Sequence, residues 1–150
     1  MTTLNLKSIE RTCSNNGNHA QQVVDFTMTG QIHPHDSVPF YAGSDIEAPG
    51  INMSVKSSGF TLANGRINPG ETFDEKIQDF VNRVHSDSFA YVIDDCSVAY
   101  IMDLTEFVEF MYAFCYLNRD SKRNGGQLKI KCKKESQKMR DWFQARVSGS

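Results

Sequence analysis

The chain has 150 residues, which is the size of a single domain with one hydrophobic core. Its 39% hydrophobic and 23% charged residues are typical of a globular protein and exclude a disordered one. The net charge of −2 conceals an uneven distribution, because residues 1–116 hold 6 basic and 15 acidic side chains whereas residues 117–150 hold 10 basic and 3 acidic ones. An acidic body is therefore joined to a basic carboxyl-terminal part within one predicted domain, residues 1–150.

The predicted elements alternate between helices and strands along the chain. Capping boxes at Thr72–Glu75 and Asp103–Glu106 indicate two helix starts, and Gly30 indicates a helix end. The predicted elements in chain order are a helix over 18–29, a strand over 40–47, a turn at Ala48–Gly50, strands over 51–56 and 60–63, a helix over 72–85, strands over 89–93 and 99–102, a helix over 107–115, and a further strand and helix in the basic part. This mixture predicts an α/β sandwich built on a mixed sheet.

Several classes of protein are not supported by the sequence. No stretch approaches the roughly 18 consecutive apolar residues of a membrane span, and the first residues lack the charged start and apolar run of a signal peptide. The cysteines are far apart and form no CxxC pair, so we expect reduced core thiols in a cytoplasmic protein rather than a zinc site or a disulfide framework. The four are Cys13, Cys96, Cys115 and Cys132.

Asp45 and Lys56 form the candidate catalytic pair. Each ends one of two consecutive predicted strands, so a hairpin through Ala48–Gly50 brings both residues to one end of a sheet. A carboxylate there can hold a hard cation such as Mg²⁺, and a neighbouring lysine can orient or deprotonate a water or neutralise a phosphate. These are the parts needed for metal-assisted phosphodiester hydrolysis, although both residue types are also common on protein surfaces.

This part of the chain resembles the restriction-endonuclease-like PD-(D/E)XK nucleases. The family's pattern is an acidic residue on a helix, an Asp on a strand, and then an acidic residue two positions before a Lys on the next strand. The corresponding residues here are Gln21 or Gln22, Asp45, Ser54 and Lys56. The predicted order over residues 18–102 matches the family's core of helix, three-stranded meander, helix and strand. The resemblance implies a single-domain restriction-endonuclease-like mixed sheet flanked by helices.

The resemblance also implies a set of site residues, with two departures from the family's pattern. Ser54 stands where the family has Glu, Asp or sometimes Gln, and a glutamine stands where it has the helix glutamate. Glu47 is on the same strand face as Asp45 and can replace a missing ligand, as can Asp25 on the helix. The implied metal ligands for Mg²⁺ are Asp45 and Glu47, and the implied catalytic set is Asp45, Lys56, Gln21, Gln22, Glu47 and Ser54.

The basic residues 117–150 are predicted to pack on the core and bind DNA. Apolar residues alternate with lysines over 128–133, so a strand there places three lysines on one face, about 6.6 Å apart at about 3.3 Å per residue. This distance is comparable with the phosphate spacing along one strand of DNA. The predicted DNA contacts are Lys122, Arg123, Lys129, Lys131 and Lys133. Met139, Trp142 and Phe143 on the last helix are expected to pack into the core.

Together these features predict a DNA endonuclease of restriction or homing type that hydrolyses phosphodiester bonds of double-stranded DNA with Mg²⁺. One active site per chain implies a homodimer or higher homo-oligomer for a double-strand cut. Two alternatives remain open. One is a DNA-binding protein whose degenerate site no longer cleaves, and the other is an interaction or inhibitor protein whose acidic body engages a partner. No membrane partner is expected.

Overall fold

The computed structural model describes residues 1–12, 16–32, 45–62, 71–93, 95–118 and 129–148. Within these ranges the chain is an α/β protein with a mixed five-stranded sheet, a three-stranded sheet and four helices, as the alternating pattern predicts. Most of the predicted strand over 40–47 and the predicted DNA contacts Lys122 and Arg123 lie outside the described residues.

The elements follow one another in an order close to the predicted one. Two short strands, the first and the seventh, were not predicted from the sequence. The elements are β1 Thr2–Asn5, α1 Asn16–Thr29, β2 Ile46–Ala48, β3 Ile51–Ser57, β4 Thr61–Leu62, α2 Phe73–Arg83, β5 Ser88–Ile93, β6 Val98–Asp103, α3 Leu104–Phe114, β7 Cys115–Asn118, β8 Lys129–Cys132 and α4 Gln137–Ser148.

Local sequence signals determine the helix ends. The Thr72 and Asp103 side chains accept the backbone N–H groups of Glu75 and Glu106 at 3.1 and 2.8 Å, and each glutamate reaches back to the backbone of its cap. These are the two predicted capping boxes. Gly30 ends α1 with φ of 78°, a left-handed conformation in which its N–H donates to the Phe26 carbonyl at 2.9 Å.

The five-stranded sheet has the order β1-β6-β5-β3-β2. Strands β2 and β3 form an antiparallel hairpin, β3 and β5 are parallel, and the remaining neighbours are antiparallel. The hairpin turn is tighter than predicted, because Ala48 pairs with Ile51 as the last residue of β2 instead of belonging to the turn. Gly50 in this turn has φ of 77°, which glycine adopts without steric cost.

The prediction of a three-stranded meander is corrected at β4. This strand pairs with β8, in a separate sheet of order β4-β8-β7, instead of continuing the sheet that holds β3. Leu62 of β4 lies opposite Ile130 of β8, and both are buried in the same core cluster. The pairing partner therefore comes from the basic carboxyl-terminal part of the chain, which sequence order alone does not reveal.

Two hydrophobic clusters lie on the two faces of the five-stranded sheet. One face packs on α1 through residues such as Val24, Met53 and Val92. The other carries the larger, aromatic cluster, in which α2, α3, α4 and the second sheet meet. Phe143 of α4 is fully buried there and stacks on Tyr100 at 4.2 Å between ring centroids, so the predicted core role of the last helix is confirmed.

Candidate functional site

The β2–β3 hairpin brings Asp45 and Lys56 together. Ile46 pairs with Met53, so Asp45, one residue earlier, lies opposite Ser54 and diagonal to Lys56. Opposite residues of an antiparallel pair share a face, and diagonal neighbours are within reach of a long side chain. Lys56 is the register partner of Tyr91 on β5, which places it on the sheet face of the aromatic cluster, away from α1. The predicted convergence of Asp45 and Lys56 is therefore present in the structure.

The Asp45 carboxylate is held by the backbone of the neighbouring strand. Its Oδ2 accepts the N–H of Val55 at 2.7 Å, two residues beyond Met53 in the last β2–β3 pair. Gln21 of α1 donates its amide to the Asp45 backbone carbonyl at 3.4 Å. Among the described residues no group donates a hydrogen bond to the other carboxylate oxygen, Oδ1. One oxygen thus fixes the orientation of the carboxylate and the other is available to a ligand.

Lys56 is held in an environment that favours its neutral form. Burial lowers the pKa of this lysine below its usual 10.5, and the Asp45 carboxylate opposes that change by raising it. Removal from water disfavours the ammonium, whereas a nearby negative charge favours it. A lysine with a lowered pKa can accept a proton near neutral pH more readily than an ordinary surface lysine can.

A network of polar side chains joins β3 to the segment before β5. The Ser54 hydroxyl lies 2.6 Å from the hydroxyl of the buried Ser86, and the Asn52 amide donates to the His85 carbonyl at 2.7 Å. Ser54 and Asn52 are on the same face of β3 as Lys56, because strand residues alternate. Ser86 could not be found from the sequence, since it reaches Ser54 only through the parallel pairing of β3 and β5.

The remaining predicted site residues have different surroundings. Glu47 lies two residues beyond Asp45, opposite Asn52, so it shares the face of Asp45 at the exposed edge of the sheet. Gln22 accepts a hydrogen bond from Thr12 at 3.2 Å in the amino-terminal segment, whereas Gln21 contacts the Asp45 backbone and not its carboxylate. Asp25 is buried on α1, where its Oδ1 accepts from the Thr29 hydroxyl at 3.0 Å.

The residues around Asp45 fit one mode of magnesium binding. Mg²⁺ keeps several waters and is usually bound through one or two carboxylates together with substrate phosphates. Oδ1 of Asp45 is oriented by the Val55 hydrogen bond and accepts no donor among the described residues. Within the same part of the chain no three His, Cys, Asp or Glu side chains gather as a ligand group. Asp45 is thus the principal candidate ligand, with Glu47 on the same face.

The predicted DNA-binding lysines are partly described. Lys131 of β8 lies between Thr61 and Tyr116 on the outward face of the three-stranded sheet, while its strand neighbours Ile130 and Cys132 are buried. Lys133 follows the strand and is exposed, and the backbone of Lys129 begins β8. The expected alternation is therefore confirmed for the described positions.

Tyr116 is an exposed aromatic residue that the sequence alone does not single out. Its side chain is 41% exposed and lies directly opposite Lys131. The signal that could have found it is its place between Cys115 and Leu117, two apolar residues that turn to the opposite side of a strand. An exposed ring beside a cation is the arrangement on which nucleic-acid bases stack.

A cavity of about 250 Å³ opens at the carboxyl ends of the parallel strands β3 and β5. Its lining includes Arg11, His19, Ser58 and Asp95, but neither Asp45 nor Lys56. Asp95 and Cys96 lie in the β5–β6 turn with φ of 53° and 63°. Residues other than glycine adopt this left-handed backbone conformation at an energetic cost. The cavity is therefore distinct from the Asp45–Lys56 pair.

Comparisons with known proteins give no match that bears on these residues. No protein-family model, no curated protein and no solved structure matches the chain. Among the described residues, no helix is long and apolar enough to cross a membrane.

Proposed function

We propose that this protein is a Mg²⁺-dependent DNA endonuclease whose catalytic residues are Asp45 and Lys56. The observation that carries the proposal is the convergence of an oriented carboxylate and a partly buried lysine on one face of the β2–β3 hairpin. The restriction-endonuclease-like resemblance of the sequence supports the same assignment. A restriction or homing role in the cytoplasm is part of the proposal, as the resemblance and the composition of the sequence imply.

The two side chains have complementary roles in this proposal. Asp45 would hold the cation, and the hydrogen bond from the Val55 N–H to its Oδ2 fixes the direction of the carboxylate. Mg²⁺, when bound, acts as a Lewis acid on the phosphate and makes a bound water more acidic. Lys56 orients the attacking water and accepts its proton, and the lowered pKa of its amine increases the fraction of the lysine that is neutral and able to accept one.

The other candidate residues position this pair. Gln21 holds the Asp45 backbone from α1, and Ser54 occupies the place of the family's second acid while its hydroxyl contacts Ser86. Glu47, on the face of Asp45, is the second candidate carboxylate for the cation. A single principal carboxylate predicts weak Mg²⁺ binding in the absence of DNA, because phosphate oxygens must complete the coordination.

The basic part supplies the attraction for DNA in the same proposal. Lys131 and Lys133 on and after β8 contact phosphates, as do Lys122, Arg123 and Lys129, and Tyr116 adds an aromatic surface beside Lys131. The acidic body of residues 1–116 otherwise repels DNA. Cutting both strands requires two copies of the site, so a homodimer or higher homo-oligomer is part of the proposal.

Cleavage of supercoiled plasmid DNA tests this function. The wild-type chain should nick or linearise the plasmid with Mg²⁺ and leave it intact with a chelator. Asp45→Asn and Lys56→Met should each lose at least about 100-fold in rate, the lower end of what a general acid–base group contributes. Both variants should keep their DNA affinity, measured by fluorescence anisotropy at low salt, because the lysines of β8 are unchanged.

A second acid–lysine pair offers matched controls. Lys76 of α2 is buried and its amine lies 3.4 Å from Asp79, on an element separate from the β2–β3 hairpin. Asp79→Asn and Lys76→Met repeat the same chemical changes and should leave the cleavage rate unaltered. DNA binding without Mg²⁺-dependent cleavage would contradict the nuclease proposal in favour of a DNA-binding protein. Absence of DNA binding at low salt would contradict both and leave an interaction protein.

A further inference from the structure

Cys115 and Cys132 face each other across the second sheet. Cys115 is the first residue of β7 and Cys132 the last of β8, and the two are register partners. Both side chains are buried, with 8% and 1% exposed, and the Cys132 side chain is near enough to raise the pKa of the Cys115 thiol. Two thiols separated in sequence are thus held opposite each other on neighbouring strands.

The backbone hydrogen bonds show which kind of pair they form. The N–H of Lys133 donates to the Phe114 carbonyl at 2.8 Å. The backbone hydrogen bond at this end of the two strands therefore joins the residues next to the cysteines and not the cysteines themselves. The N–H of Cys132 points the other way and donates to the Phe60 carbonyl at 2.9 Å. Cys115 and Cys132 are therefore a non-hydrogen-bonded antiparallel pair, the kind in which Cα atoms lie about 4.5 Å apart and side chains are closest.

This geometry is compatible with a disulfide bond. Disulfides join residues whose Cα atoms are roughly 4.4 to 6.8 Å apart, and a non-hydrogen-bonded pair falls at the short end of that range. The strands need no change of register, because the two cysteines are already opposite each other. The other cysteine that the structure describes, Cys96, lies in the β5–β6 turn of the five-stranded sheet and is not part of this pair.

We propose that Cys115 and Cys132 are an oxidation site that forms a reversible disulfide across the β7–β8 hairpin. With a peroxide as oxidant, one thiolate attacks a peroxide oxygen and becomes a sulfenic acid while the O–O bond breaks and water is released. The second thiol then attacks the sulfenic sulfur, the S–S bond forms and a second water leaves. Overall the two thiols lose two hydrogen atoms and hydrogen peroxide becomes two waters. A small dithiol reverses the reaction by exchange.

Oxidation of Cys115 and Cys132 should depend on pH. The hydrogen bond to Cys132, followed by burial, raises the pKa of the Cys115 thiol above its usual 9.0. Because the thiolate is the reactive form, oxidation should be slow at neutral pH and should accelerate as the solution becomes more alkaline. Burial of the Cys132 thiol also slows the reaction, because it limits access of the oxidant.

Peptide mapping of the oxidised protein tests the proposal. The folded full-length chain is treated with hydrogen peroxide, quenched, alkylated and digested without reduction. The expected product is a peptide pair linked through Cys115 and Cys132, formed within monomers and lost after treatment with dithiothreitol. The oxidised protein should also need more urea to unfold than the reduced one, since the bond closes the β7–β8 hairpin.

A variant lacking one partner separates this chemistry from other oxidation. Cys132→Ala keeps the small apolar character of the site and should give no intramolecular bond at Cys115, whereas Cys96→Ser should leave the Cys115–Cys132 product unchanged. Sulfinic acid at either cysteine without the linked peptide, a link that involves Cys96, or linkage only between molecules would overturn the proposal. If Cys132→Ala does not fold, the wild-type peptide map alone decides.

Discussion

Replacing Asp45 by alanine is expected to destabilise the fold more than replacing it by asparagine. The Asp45 carboxylate accepts the Val55 N–H at 2.7 Å, and among the described residues β2 offers this N–H no backbone acceptor, because the β2–β3 pairing ends with Ile46 and Met53. Asp45→Ala removes the acceptor of the Val55 N–H, and the Val55 side chain is buried, so little water reaches this donor. An unsatisfied buried donor costs about 1–3 kcal/mol in the free energy of unfolding.

Asp45→Asn retains a carbonyl oxygen at the same position and should lose much less of that hydrogen bond. It does remove the charge that raises the pKa of Lys56, so part of its effect is electrostatic. Adding Lys56→Met to each Asp45 variant removes this electrostatic part, and the difference between alanine and asparagine in that background isolates the Val55 hydrogen bond.

Urea and thermal unfolding followed by circular dichroism measure the difference. At roughly 2–4 °C per kcal/mol for a chain of this size, Asp45→Ala should lower the Tm by about 2–12 °C, and Asp45→Asn by only a fraction of that. Equal losses for the two substitutions, or no loss for either, would refute the argument that the carboxylate completes the β3 backbone hydrogen bonds.

Three further predictions concern other positions. Burial lowers the pKa of Lys56, so the unfolded chain binds that proton more tightly, and wild-type stability is lost as the pH falls below 10.5 toward the lowered pKa. Lys56→Met should therefore be more stable than wild type at neutral pH, with a stability that depends less on pH. Urea unfolding at several pH values measures this, and a less stable Lys56→Met at neutral pH would contradict it. Tyr116→Ala should weaken binding to single-stranded DNA by about 5- to 150-fold, since stacking contributes about 1–3 kcal/mol per base. Tyr112 is 50% exposed but packs edge-on against Phe73, so Tyr112→Ala should not weaken binding. Equal effects of the two substitutions in anisotropy titrations would contradict a specific role for Tyr116. Cys96→Gly should raise the free energy of unfolding by about 1 kcal/mol, because the residue has φ of 63°, and a lower stability in urea would show that the thiol contributes more than the turn conformation costs.

The sequence predicts most helices and strands because their signals are local. The capping boxes at Thr72 and Asp103 mark the starts of α2 and α3 within one or two residues, and the alternation over 51–56 identifies β3. The seventh strand was missed because Cys115 continues the apolar run of α3, so periodicity does not separate the helix from the strand. β1 was missed because it is a short edge strand with little buried surface.

The candidate site also contains some contacts that the local sequence predicts and others that depend on the pairing of distant segments. Asp45 and Lys56 could be paired from the sequence because one hairpin with a short turn joins them. The contacts of Ser54 with Ser86, and of β4 with β8, depend on pairings between distant segments, and nothing in the local sequence specifies them. The facing thiols of Cys115 and Cys132 belong to this second group, since their register follows from the pairing of β7 with β8.

The cleavage rate of Lys56→Met decides whether the Asp45–Lys56 pair is catalytic. Wild type, Lys56→Met and the control Lys76→Met are compared on supercoiled plasmid with Mg²⁺, after circular dichroism has shown all three to be folded. We expect Mg²⁺-dependent nicking by wild type and Lys76→Met and a loss of at least about 100-fold in Lys56→Met alone. Nicking at the wild-type rate by Lys56→Met, or no nicking by the wild-type protein, would contradict it.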